Sequence, residues 1–312
     1  MTGRGCRQAP RPFCWGMRML RIIAPAKVNL FLGVGPLRAD GYHDVTTVLH
    51  AVDLCDTITI TPSRTLSVGC TPDVGVAPEA NLVHRAAVAL GQALGHEPAF
   101  SILVEKRIPH GAGLGGGSSD AAATIAGLAT LWGADPLDEE CIRVASTLGA
   151  DVPFFLERTG AALMTGRGDV TELVLDGMGG TSIVLVKPTA PVSTALAYRA
   201  FDADPTASEE PSRVVEALAA ADPVALAAAL RNNMTAAAAS VTPDVGVVLQ
   251  WLRGCEGVLG AEVAGSGSAV FGVCETDAAA RAACTSAEER GWWARPTSLR
   301  ARGVEVLREE SR

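Results

Sequence analysis

Lysine is nearly missing from this chain: of 26 Lys and Arg residues only Lys27, Lys106 and Lys187 are lysines. Bases are also outnumbered, by 34 Asp and Glu, giving a net charge of -8. That balance argues against a nucleic-acid coat or a polybasic membrane binder. It leaves room for a small anionic ligand held by local groups. Aromatics are few, and Tyr42 and Tyr198 are the only tyrosines. The five histidines form no H-E-x-x-H and the eight cysteines no C-x-x-C, which removes the common zinc patterns. A chain of 312 residues needs no disulfide staples, so the cysteines read as reduced thiols of a cytoplasmic protein. No apolar run is long enough to cross a bilayer: Ala121–Ala134 stops between Asp120 and Asp135. Residues 1–20 carry arginines, no acid and no continuous apolar stretch. They read as an extension, either a leader or an over-long start ahead of Met17 or Met19.

What is present is 48% hydrophobic, enough for one large core or two ordinary ones. The first third reads as strands: Arg21–Ile23, Lys27–Val34, Val45–Val52 and Thr57–Thr61, with a turn within 33–41. Asn81–Leu94 is an alanine-rich helix closed by Gly95. Phe100–Lys106 alternates like a strand, and helices follow over Asp120–Trp132 and Leu137–Leu148. Pro153 holds Val152 extended, so helix should have ended there. After a punctuated segment at Asp176–Gly180, strands are expected at Ser182–Lys187, Val258–Val263 and Ala269–Cys274. Helices are expected at Arg213–Ala221, Val224–Asn232 and Val245–Leu252. Strands and helices come in blocks, which favours an α+β fold of two domains, 21–177 and 181–312.

The chemistry starts at the run Pro109-His110-Gly111-Ala112-Gly113-Leu114-Gly115-Gly116-Gly117-Ser118-Ser119. Five glycines in seven residues let backbone N–H groups turn inward and approach a ligand. A helix begins at once, and its first amides lack intrahelical partners. Together these make a phosphate site. Ser118 and Ser119 add hydroxyls that can reach phosphate or a magnesium shell. The run is no Walker A loop, because no G-K-[ST] closes it, and it is a poor dinucleotide fingerprint. The bland alternative, a flexible linker, rarely lies between a strand and an alanine-rich helix. His110 is incidental in type, and His50, His84 and His96 read as structural or solvated.

Three separated segments resemble the signature motifs of the GHMP kinases, the small-molecule kinases that include galactokinase, homoserine kinase and mevalonate kinase. They are Ala24-Pro25-Ala26-Lys27-Val28-Asn29-Leu30, the glycine run, and Ala264-Gly265-Ser266-Gly267-Ser268-Ala269-Val270-Phe271. The order is right from Ile22 to the C-terminal region. The resemblance implies ATP with magnesium. It also implies a ribosomal-protein-S5-like ATP-binding domain followed by a ferredoxin-like α/β sandwich. Gly41-Tyr42-His43 together with Gly149-Ala150-Asp151-Val152-Pro153 narrows the match to a member acting on a cytidine-diphosphate-linked methylerythritol, in isoprenoid precursor biosynthesis.

By that resemblance Lys27 and Asp151 are catalytic, the carboxylate taking the acceptor proton and the lysine keeping it ionised. Read without it, Lys27 is a surface lysine at a strand end and Asp151 a turn carboxylate. The resemblance also gives Tyr42 and His43 to the cytosine, Asn29 to the methylerythritol hydroxyls, and Gly265, Ser266 and Gly267 to the wall opposite the phosphate loop. The residues alone leave open hairpin packing of Tyr42 with a solvated His43, and an ordinary hairpin turn at 265–267. Tyr198 is a candidate second base-stacking ring, with core packing as the alternative. Metal ligands and adenine contacts are not named by the sequence, although the adenine should lie near Asn81–Arg85 or the strand before the loop. The expected partner is a small molecule, with no nucleic acid or membrane, in a monomer or weak homodimer. Competing readings are a homoserine or mevalonate type of kinase, for which Tyr42 and His43 have no use, and a catalytically inactive nucleotide-binding protein.

Overall fold

The computed structural model describes residues 19–308. The extension expected at 1–20 therefore lies almost wholly outside the described residues. The first half runs β1 (Leu20–Leu37), β2 (His43–Pro62), β3 (Ser67–Thr71), α1 (Leu82–Leu94), β4 (Phe100–Glu105), α2 (Gly116–Trp132), α3 (Glu139–Leu148), α4 (Val152–Leu156), β5 (Ala161–Thr165) and β6 (Val170–Leu175). The second runs β7 (Ser182–Lys187), α5 (Thr194–Ala203), α6 (Ser212–Ala219), α7 (Pro223–Ala229), β8 (Arg231–Asn232), α8 (Thr235–Val241), α9 (Pro243–Arg253), β9 (Val258–Val263), β10 (Val270–Cys274), α10 (Asp277–Glu289), β11 (Trp293–Ser298) and β12 (Glu305–Arg308).

Two sheets organise these elements. The first has the order β12-β1-β2-β4-β3, with β5 and β6 continuing from β2 and β8 lying parallel to β1. The second has the order β11-β7-β10-β9 and is antiparallel throughout. The chain passes from one sheet to the other between β6 and β7. It returns twice, because β8 and β12 both pair with β1. The mixture of helix and sheet in blocks is the α+β arrangement that the patterning implied.

Several elements differ from their sequence patterns for identifiable reasons. β1 and β2 are single long strands where four short ones were expected. Pro25 and Asn29 mark irregularities in their register rather than breaks, and a bulge absorbs what a turn would otherwise have to. Helix α2 starts four residues before Asp120, at Gly116, so Ser118 and Ser119 are first-turn residues rather than loop. Pro153 does not exclude helix: it occupies the first turn of the short α4, where its missing N–H costs nothing. The helix α1 has the Gly95 cap its sequence implied, and Asn81, expected as its first residue, is its N-cap. Asn81 Oδ1 accepts from Val83 N–H at 2.9 Å, and Gly95 closes the helix in the left-handed conformation.

The largest apolar cluster fills the space between the first sheet and α1–α3, with Ile22, Ile58, Ile60, Leu90 and Ile102 almost fully buried. A second cluster joins the two sheets: Val28, Leu30 and Phe31 of β1 share it with Phe271 of β10 and Leu185 of β7. That cluster holds the glycine run and the third glycine segment at a fixed separation.

Candidate active site

The glycine run is held from both sides by backbone. Lys27 N–H donates to Leu114 O at 3.0 Å, and Ala269 N–H donates to Ala112 O at 3.0 Å. The side chains of Ala112 and Leu114 are buried between them. Gly113 approaches the third segment so closely that a Cβ there would lie 2.3 Å from Ala264 O. Gly115 has a φ of 73° and caps α2 without any side-chain hydrogen bond. Ser119 N–H reaches back to Gly115 O at 2.9 Å, so the amides ahead of it in the first turn are left for a ligand.

A cavity of about 330 Å³ opens over this helix start. It is lined by Pro109–Ser118 together with Ala80, Asn81, Leu82, Lys106, Ile108 and Asp120. Asn81 and the end of β4 are where adenine contacts were anticipated. Ser118 faces the cavity, whereas Ser119 is fully buried and its Oγ has no partner among the described residues. His110 is exposed.

Lys27 is only 4% exposed, which removes the reading of a surface lysine. Its ammonium donates to Asn29 Oδ1 at 2.8 Å and lies 3.4 Å from Asp151 Oδ2. Asn29 in turn donates to Thr47 Oγ1 at 3.0 Å, and Thr47 donates to Phe31 O at 2.6 Å. The chain from Thr47 to Asp151 thus orients one buried charge against a carboxylate that keeps partial access to solvent. Thr47 carried no signal in the sequence. The third segment meets the same point: a Cβ on Gly265 would lie 3.4 Å from Lys27 Nζ and 3.5 Å from Asn29 Oδ1. Gly265 (φ 60°) and Gly267 (φ 87°) are both left-handed, and Ser266 shares a hydroxyl contact of 3.0 Å with Thr194 at the start of α5.

The aromatic candidates separate. His43 is buried, with its ring 5.1 Å from that of Tyr198 and its Nε2 2.8 Å from Asp202 Oδ1. Tyr42 lies just before β2, outside the strand. It is 54% exposed and lies under the Arg167 guanidinium. The residues alone had left open a packed Tyr42 with a solvated His43, and the structure has the opposite arrangement. Tyr198 bridges the two groups: burial pushes its hydroxyl above the ordinary range, and the nearby Asp151 charge adds to the shift.

A second charged cluster lies under the loop and went unnoticed in the sequence. Lys106 Nζ is 2.5 Å from Asp56 Oδ2 and 2.7 Å from Asp120 Oδ2. Burial works against the charge on Lys106, but Asp120 and Asp56 outweigh it and hold its pKa above the ordinary value. Asp120 is pushed up to about 7, first by burial; Lys106 pulls it down and Asp56 pushes it up. No trio of His, Cys, Asp or Glu suited to a metal ion exists among the described residues.

The GHMP kinases N terminal domain profile matches residues 81–158, and the GHMP kinases C terminal profile matches 214–291. The 4-diphosphocytidyl-2-C-methyl-D-erythritol kinase of Salinibacter ruber is 41% identical over 271 residues, covering 86% of this chain and 94% of its own. The protein of the same name from Nocardia farcinica is 40% identical over 266 residues, covering 82% and 85%. A crystal structure of 4-(cytidine 5'-diphospho)-2C-methyl-D-erythritol kinase superimposes with a TM-score of 0.75 at 34% identity, covering 90% of this chain and 99% of its own. Homoserine kinase from Cytophaga hutchinsonii shares the fold, with a TM-score of 0.72 at 18% identity, covering 95% and 99%. Matched in both halves and aligned with these relatives along most of its length, the chain belongs to the GHMP kinases, on the branch of the two bacterial relatives.

Proposed function

We propose that this protein transfers the γ-phosphoryl group of ATP to the 2-hydroxyl of 4-diphosphocytidyl-2-C-methyl-D-erythritol, in non-mevalonate isoprenoid precursor biosynthesis. The observation that carries the reading is the Lys27–Asp151 pair at 3.4 Å, beside the ligand-ready start of α2. Relatives of that name align along most of the chain.

The nucleotide sits in the cavity by Asn81, with its phosphates on the first-turn amides and Ser118. Magnesium bound with those phosphates would offset their charge, with the Ser118 hydroxyl as the side chain placed to reach its shell. The acceptor hydroxyl lies at Asp151. As its oxygen bonds to the γ-phosphorus, the bond from that phosphorus to the β,γ-bridging oxygen breaks and ADP leaves. The hydroxyl proton goes to the Asp151 carboxylate. Lys27 places its ammonium 3.4 Å from that carboxylate and holds it toward the acceptor. Asn29 aims Lys27 and meets the methylerythritol hydroxyls. Tyr198 and His43 form the wall for the cytosine, with Tyr42 at its open edge. Gly265, Ser266 and Gly267 close the side opposite the phosphates.

Coupled measurement of ADP release tests the reaction. Release is expected with the cytidine-diphosphate substrate, and not with homoserine or mevalonate. ADP release that does not depend on the cytidine-linked substrate overturns the reading.

A further inference from the structure

The Asp56–Lys106–Asp120 cluster takes no part in the transfer, yet it touches both ends of the phosphate run. Asp56 is fully buried at the middle of β2. Its Oδ1 accepts from Arg107 N–H at 2.5 Å and from Ile108 N–H at 2.9 Å, the last two amides before Pro109. Its Oδ2 takes the Lys106 ammonium, and that ammonium also holds Asp120 in the second turn of α2. Lys106 lies against the run itself: a Cβ on Gly116 would come within 3.3 Å of its Nζ.

A buried carboxylate needs such partners, and two strand-end amides without an acceptor would carry a desolvation cost. Neither need explains why one side chain serves both. A simple strand cap would satisfy Arg107 and Ile108. A simple ion pair would satisfy Lys106. Here a single residue on a rigid strand fixes where the glycine run begins and, through Lys106, where the helix that follows it stands. The run between is rich in glycine and has little stiffness of its own.

We infer that Asp56 is a positioning residue for ATP, acting through Lys106 to hold the two ends of the phosphate loop at the separation that phosphates require. It does not touch the reacting atoms. This rests on the reading of the loop as the ATP site, but the clamp itself can be measured without ATP.

Asp56→Asn keeps the shape and an oxygen for the two amides but loses the charge that holds Lys106. Two measurements are made on the full chain. In steady-state kinetics the KM for ATP should rise at least about tenfold, as expected when a buried ion pair loses one partner. The KM for the cytidine-linked acceptor should stay within about twofold. In amide hydrogen exchange without ligand, peptides covering 107–120 should exchange at least about tenfold faster, with those covering β7 and β10 unchanged. Lys106→Met removes the link from the other side and is measured in parallel, so the outcome does not depend on one variant folding. The double variant should be no worse than the worse single one, because both break one connection. Equal rises in both KM values, additive effects, or unchanged exchange at 107–120 would overturn the clamp. A wild-type protein with no affinity for ATP would overturn the nucleotide reading, while the exchange result would still decide the clamp.

Discussion

At the scale of single residues, the decisive feature is a lysine kept almost wholly out of water. Burial disfavours an ammonium unless its partners compensate. Lys27 has two, Asn29 at 2.8 Å and Asp151 at 3.4 Å. They differ in kind. Asn29 is neutral and locked by Thr47, so it sets direction. Asp151 is charged and 31% exposed at its side chain, so it is the partner a substrate can reach. This division predicts the effect of Asp151→Asn. The amide preserves shape and can still face Lys27, but it cannot accept the hydroxyl proton. Turnover should fall by about 10²- to 10⁴-fold, the range for a lost general base. The KM values for both substrates should stay within a few-fold, as seen in steady-state kinetics. Full turnover in this variant would remove the proton-acceptor role from Asp151 while leaving the reaction itself in place.

Among the elements, the glycine run works because it is squeezed. Gly113 has a φ of 78°, and a Cβ there would meet Ala264 O at 2.3 Å and Gly267 O at 2.9 Å. Both contacts are to backbone, so neither can move aside as a side chain would. Gly113→Ala should therefore push the run away from the third segment and raise the KM for ATP by about tenfold or more. Positive φ adds about 1 kcal/mol of strain for a residue with a Cβ. The melting temperature, followed by circular dichroism, should fall in the same variant. An unchanged KM would mean that the two segments do not share one wall. Much of this arrangement was legible in the sequence. The run announced an anion site through its glycines, Gly95 announced the end of α1 through capping chemistry, and β4 announced itself by alternation. The start of α2 was not legible, because Gly116 and Gly117 are poor helix formers and no side chain caps the helix. Tertiary contacts decide it. The Asp56–Lys106–Asp120 cluster was equally hidden: its members lie 50 and 14 residues apart and meet through the pairing of β2 with β4 and the placing of α2 beside them. His43 and Tyr42 were distinguishable only in the fold, where His43 is buried at the start of β2 and Tyr42 lies exposed just before it.

At the scale of the whole molecule, two buried titrating groups pull stability in opposite directions with pH. His50 of β2 lies at the passage between the sheets. Its Nδ1 is 2.8 Å from Ala51 O, and its Nε2 accepts from Met178 N–H at 3.1 Å, in the segment that leads to β7. Both bonds suit the neutral ring with its proton on Nδ1. Burial lowers its pKa from 6.5 to about 4, the Ala51 carbonyl opposing only in part. Because the folded value is depressed, its contribution is complete above pH 6.5 and is lost as pH falls toward 4. Asp120 has the opposite sign. Its folded value of about 7 lies above the ordinary 3.8, so its contribution is complete at low pH and is lost as pH rises through 7. Between pH 5 and 7.5 the two partly cancel, and the wild-type curve alone cannot assign either. Comparison with His50→Gln separates them, since glutamine can donate and accept but does not titrate in this range. Urea unfolding at pH 7.5 and pH 5 should show wild type losing about 2 kcal/mol more than His50→Gln over that interval. The Met178 bond should also make the loss cooperative between the sheets, so fluorescence from Trp132 beside the first sheet and from Trp293 in the second should report the same midpoint. Parallel pH curves for the two proteins would mean that His50 does not stay neutral on folding.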